Sequence, residues 1–176
     1  MKLIERNAAQ AEELGRELRQ DSDTSLKCRR GVVGLSLTSI VSMGIIALYQ
    51  IGILKHVPEP PFPGFDADKV NGSAQAYAYL STPDAVFGLG NYATTLSLAA
   101  MGPANRAEKQ PWVPIALAAK VGADAILAGK LTVDQWTKHR AFSFWCLLSA
   151  GSTLVALLLV LPEAHAALRE LKQRID

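Results

Sequence analysis

Sulfur is scarce in this chain. Among 176 residues there are two cysteines, Cys28 and Cys146, so one disulfide is the most it can form. The segment between residues 55 and 83 has none. Nor is there a phosphate-cradling glycine loop, a nucleophile elbow or a basic patch interleaved with aromatics, which sets aside nucleotide chemistry, serine-hydrolase chemistry and nucleic acid as a partner. The first thirty residues mix both charges and contain neither an apolar core segment nor a small-residue cleavage site, so no signal peptide is expected. His56 and His139 have Asp66 and Asp68 as possible company, but their spacing matches no ligand pattern, and no metal is expected.

What the chain does have is apolar sequence in long blocks. Half of it is hydrophobic (49%), and residues 141–162 carry no charge over a length that suits a membrane-crossing helix, for which about 20 residues are needed. Residues 31–54 form a second such block. Lys27, Arg29 and Arg30 precede it as a basic anchor, Tyr49 stands near its far end, and Gly34, Thr38 and Ser42 mark a small-residue face open to close helix packing. Residues 84–104 form a third block, opened by Pro83 and Asp84 as a first helical turn prefers. A weaker block, residues 111–129, contains Lys120 and Asp124, four apart and able to pair on one helix face. Charges in lipid are costly, so these two must face protein or water. They either fix helix register or form the polar floor of a pocket or a contact for a partner helix.

The expected architecture is an all-α integral membrane protein. It has a four-transmembrane-helix bundle (residues 27–162) with spans in chain order at about 31–54, 84–104, 111–129 and 141–162, and amphipathic N- and C-terminal helices. In the N-terminal segment, residues 1–26, Ile4, Ala11, Leu14 and Leu18 fall at helical spacing, and Asp21 to Ser25 offer caps for the next helix. In the tail, residues 163–176, Ala166, Leu168, Leu171 and Ile175 do the same. The loop 55–83 is too proline-rich for regular structure at its start, and a loop this long is usually functional. Lys and Arg number seven in residues 1–30, two in the 105–110 link and three in the tail, against two in the 55–83 loop and three in residues 130–140. That bias puts both termini in the cytoplasm, with the proline-rich loop and the Cys146 end outside.

Four spans, a long outer loop after the first and a thiol at the outer start of the fourth form a layout that resembles the vitamin K epoxide reductase family. That family often enters its second helix with Gly-Ile-Pro-Asn-Ala-Leu-Leu-Gly and a tyrosine four residues on. Here Ser81-Thr82-Pro83-Asp84-Ala85-Val86-Phe87-Gly88 is followed by Tyr92 at the same spacing. The family's Ser-x-x-Tyr-Ala element resembles the stretch from Ser73 to Tyr77 and Ala78, and its C-x-x-C aligns with Ser143-Phe144-Trp145-Cys146. The likeness covers residues 27–162. It implies a quinone held in the bundle against Cys146, with Asp84, Gly88, Tyr92 and Trp145 as ligand-binding positions, and electrons relayed through loop cysteines from a thioredoxin-like partner.

This sequence departs from that pattern. The loop has no cysteine, and Ser143 stands where the first cysteine of the pair would be. Thiol–disulfide exchange needs an attacking thiolate and a second sulfur. Cys28 cannot supply it from the opposite membrane face, about 30 Å away, when a disulfide needs Cα atoms within roughly 7 Å. Cys146, the one candidate catalytic atom, is either a small buried residue or a retained quinone contact. Asp84 is either a first-turn carboxylate or, protonated, a partner for a quinone oxygen. The expectation is a redox-degenerate member of the bacterial inner membrane that binds a quinone, another apolar ligand or other membrane proteins through its terminal helices. The alternatives are an active quinone-dependent oxidoreductase that borrows a partner thiol and a structural subunit of a larger membrane complex.

Overall fold

Regular structure follows the apolar blocks. The computed structural model describes residues 2–20 and 22–175, with side chains for residues 8–20 and 22–174. Ile4, Asp21 and Ile175, named above for helix faces and capping, lie outside the described side chains. Among the described residues three helices are long and apolar enough to cross a membrane: α2 (Thr24–Gln50), α6 (Trp112–Asp134) and α7 (Phe144–Ile175). A shorter apolar helix, α4 (Asp84–Ala100), spans 17 residues. The others are α1 (Lys2–Gln20), the one-turn α3 (Ala67–Asn71) and α5 (Arg106–Lys109), a 3-10 turn at Ala74–Tyr77, and a π-helical turn, Gln135–His139, that extends α6.

Element limits shift from the sequence expectation for local reasons. Helix α2 starts at Thr24 because Asp23 caps it, accepting from the Ser25 amide at 3.0 Å. It is already helical at Lys27, Arg29 and Arg30, which therefore do not precede the span. Of its expected small-residue face only Ser42 is fully buried; Gly34 is exposed, and the buried stripe is Val32, Ser36, Ser39, Ser42 and Ile46. Helix α2 is apolar all round, so periodicity could not choose its packing face. Helix α7 begins at Phe144 and continues through Pro162 without a break. The tail is thus an extension of the last apolar helix and not a separate one.

Helix α2 packs between α4 and α7, α7 packs between α2 and α6, and α4 meets α6 more loosely. Two apolar layers result. One joins Val32, Ala99, Leu117, Val121, Ala156 and Val160. The other joins Ile46, Ala47 and Ala85, with Met43, Leu89, Trp145 and Cys146 packed on it.

The end of α4 explains its length. Arg29 of α2 donates to the carbonyls of Ala99, Ala100, Met101, Gly102 and Pro103. Arg106 of α5 donates to those of Leu98, Ala99 and Met101. The carbonyls a helix leaves open at its C-terminus are thereby satisfied, and Gly102 turns the chain away with φ of 86°. Arg106 and its bidentate partner Glu163 of α7, bonded at 2.8 and 2.7 Å, are both buried.

Candidate functional site

The opposite end, where α7 begins, carries most of the residues singled out by sequence. The loop after α2 is strapped across it. Phe142 donates its amide to Gly64 O at 2.9 Å, and Asp66 donates to Phe142 O at 3.0 Å. Trp145 Nε1 donates to Pro58 O. One Glu59 carboxylate oxygen accepts from the Ala67 amide at 2.6 Å, and the other reaches the Phe144 amide at 3.5 Å, so one side chain ties the starts of α3 and α7. Aromatic contacts run from Phe62 to Phe65, Phe142 and Trp136.

Under this strap lies an amide-centred network. Asn71 Nδ2 donates to Ser143 Oγ at 3.0 Å and to Ala67 O at 2.8 Å. Asn71 Oδ1 accepts from Cys146 Sγ at 3.3 Å. Ser143 Oγ is also 3.4 Å from the Cys146 amide, and the Ser143 amide donates to Gln135 Oε1 at 2.8 Å. Ser143 is fully buried. The hydroxyl at the spacing of a missing cysteine is thus an acceptor for an asparagine and a cap for its own helix, while the Cys146 thiol serves as a donor.

Gln50, at the last turn of α2, links this network to α4. Its Nε2 donates to Asn71 O at 3.1 Å and to Asp84 Oδ1 at 2.7 Å; its Oε1 accepts from the Ala85 amide at 3.2 Å; its carbonyl accepts from the Tyr77 hydroxyl at 3.1 Å. Asp84 keeps an exposed edge in the first turn of α4.

The other predicted positions separate. Gly88 permits close approach of Met43: a Cβ there would sit 2.8 Å from Met43 Sδ. Tyr92, two turns into α4, has its hydroxyl 3.3 Å from Thr153 Oγ1. Lys120 and Asp124 do pair, and Lys120 Nζ also donates to Asn91 O at 2.8 Å and to Thr95 Oγ1 at 2.6 Å, which ties α6 to α4. Cys28 stays remote. Its neighbour Gly31 packs on Leu159, which lies about 20 Å along α7 from Cys146 at 1.5 Å per residue. His56 Nδ1 meets Asp68 Oδ2 at 2.7 Å on the exposed loop. Among the described residues no three His, Cys, Asp or Glu side chains gather.

Sequence reasoning missed Gln50, Asn71 and Gln135. An amide at the last turn of an apolar helix, as Gln50 is, was the available signal; Asn71, in an Asn-Gly-Ser run, read only as a turn.

Met43 and Leu89 pack with Ile46, Trp145 and Cys146 beside Ala85, and Met43 closes on Gly88. A groove of about 310 Å³ lies between α2 and α7, lined by Leu37, Thr38, Val41, Ser42, Trp145 and Leu148. Trp145 is the wall this groove shares with the Cys146 layer. The sequence model of the Vitamin K epoxide reductase family matches residues 31–161. No curated protein matches the chain.

Proposed function

This chain belongs to the vitamin K epoxide reductase family, and on that premise we propose that it is a redox-silent member, a pseudoenzyme that works by binding. The family's activity is quinone-linked thiol oxidoreduction, which turns on paired sulfurs. The observation that carries the proposal is the Ser143–Asn71–Cys146 network: the position that would hold the resolving sulfur is a buried hydroxyl engaged by an asparagine. Serine can neither attack a disulfide nor leave from one, and Cys28 is too far away to replace it. The strap over Ser143 further separates Cys146 from a soluble thiol protein.

In this reading α4 also crosses the membrane, as the second of four spans in chain order, in a bacterial inner membrane with both termini cytoplasmic, as the Lys and Arg bias favours. The ligand is apolar, a quinone or another lipid-soluble molecule, and it enters sideways from the bilayer into the groove beside Trp145. No step of electron transfer is assigned to it. The test uses the full chain in lipid nanodiscs with a water-soluble dithiol and a short-chain quinone. Quinone reduction is expected at the protein-free rate, unchanged in Cys146→Ser. A faster rate that Cys146→Ser abolishes would overturn the proposal in favour of an active enzyme using an external thiol.

A scaffold role is supported by a separate feature. Over its described side chains, residues 8–20, helix α1 is mostly exposed; it is tied to α2 by the Arg30 guanidinium on Leu18 O at 2.7 Å. With the α7 tail it offers amphipathic surface to other membrane proteins. Deleting residues 1–20 should then release partners that co-purify with the full chain; an intact assembly would count against this role.

A further inference from the structure

A small, partly open cavity lies among the helices, one layer in from Cys146, where Leu35, Val121 and Ala156 meet a group of polar side chains. Its volume is about 10 Å³, and its lining includes Ser36 and Ser39 of α2, Tyr92 and Thr95 of α4, Asp124 of α6, and Ser152 and Thr153 of α7. That volume is near the lower limit for one water molecule, which also needs two to four polar partners. The lining supplies them. Both bonds of the Asp124 carboxylate, from Lys120 and Thr95, fall on Oδ2, which leaves Oδ1 for a further donor. Ser36 Oγ and Thr153 Oγ1 are committed to backbone carbonyls of their own helices, but a hydroxyl keeps acceptor capacity while it donates. Ser39 and Ser152 are buried, and the Ser39 hydroxyl lies within hydrogen-bonding reach of Tyr92.

We propose that this cavity is a binding site for a single internal water, held between Asp124 of α6, Tyr92 of α4 and the hydroxyls of Ser39 and Ser152. The water completes the carboxylate's hydrogen-bond shell, so that the Lys120–Asp124 pair finds its partners within the protein and not in lipid. It also joins α6 to α2 and α7 across the loosely packed α4–α6 side. The inference stands apart from the redox reading, since neither Cys146 nor Ser143 takes part.

The direct test is water-edited solid-state NMR on the full chain in lipid bilayers. Magnetisation from water should reach Thr95 and Thr153 several-fold faster than it reaches Leu117 and Val160, which belong to the apolar layer and do not line the cavity. Equal build-up at all four would overturn the site. Ser39→Val then localises the effect by filling the cavity. The fast transfer should disappear while the variant remains folded, and its melting temperature should fall, because evicting the water strips Asp124 of a donor. Persistence of the fast transfer in the folded variant would place the water elsewhere. A rise in melting temperature would mean that the cavity is dry. Either result overturns the proposal.

Discussion

The Cys146 end and the Arg106 end face the same requirement: backbone groups at helix termini are packed away from water and must find partners. At the Cys146 end the partners are mainly uncharged amides and hydroxyls. Gln50 caps α4, Gln135 takes the Ser143 amide, and Asn71 bridges Ser143 and Cys146. At the Arg106 end they are ions: two guanidiniums collect the carbonyls of α4, and one carboxylate balances them. Neutral networks can lose one bond and keep the rest. A buried ion that loses its partner remains a buried charge, so the ionic end is all-or-none. The end with the candidate site is therefore the one the fold can adjust.

Substitutions that break this contrast should fall in a definite order when unfolding is measured in bicelles. Glu163→Ala leaves Arg106 buried and unpaired and should cost most, about 3–5 kcal/mol. Arg29→Ala exposes several carbonyls of α4 at once and should cost about 2–3 kcal/mol. Gln50→Ala removes the α4 cap and the bonds to Asn71 and Asp84, and a loss of about 1–3 kcal/mol is expected. Ser143→Ala deletes one acceptor for Asn71 and should cost about 1 kcal/mol. If Ser143→Ala proved as damaging as Glu163→Ala, the two ends would not differ in the way described.

One substitution sharpens the comparison instead. Ser143→Cys creates a C-x-x-C at the start of α7. With a mild oxidant it should form a disulfide with Cys146, seen by intact mass as the loss of two hydrogens, while the parent chain shows no such change. Failure to oxidise in a folded variant would mean that the Asn71 clamp, and not the missing sulfur alone, keeps this end inert.

How far the sequence carries depends on the residue. The apolar runs revealed three membrane-capable helices, because a helix in lipid needs about 20 uninterrupted apolar residues and little else. The Lys120–Asp124 pair was legible because charges in such a run must meet. Ser143 stood out through its spacing from Cys146. The partners that define its role were not legible. Asn71 and Gln50 come from distant parts of the chain, and nothing local marks an amide as the hub of a network. Arg29 looked like a surface anchor because a basic residue beside an apolar run usually is one; the carbonyls it caps lie seventy residues away. Glu163 fell in the expected tail, residues 163–176, and not in the last span, since the unbroken passage of α7 through Pro162 depends on packing and not on propensity.

The shortness of α4 has a consequence for where such a protein can reside. In the proposed four-span bundle, the 17 residues of α4 would cover about 25 Å at 1.5 Å per residue, against a hydrocarbon thickness of about 30 Å. The two arginines that close its last turn prevent it from growing by another turn into lipid. Straightening cannot lengthen it, so the bilayer has to come down to meet it on that flank. A membrane that must thin beside one helix resists the protein more as its lipids lengthen. The chain should therefore be most heat-stable in bilayers of shorter acyl chains and should partition away from thick, ordered domains, a sorting preference written into one capped helix end.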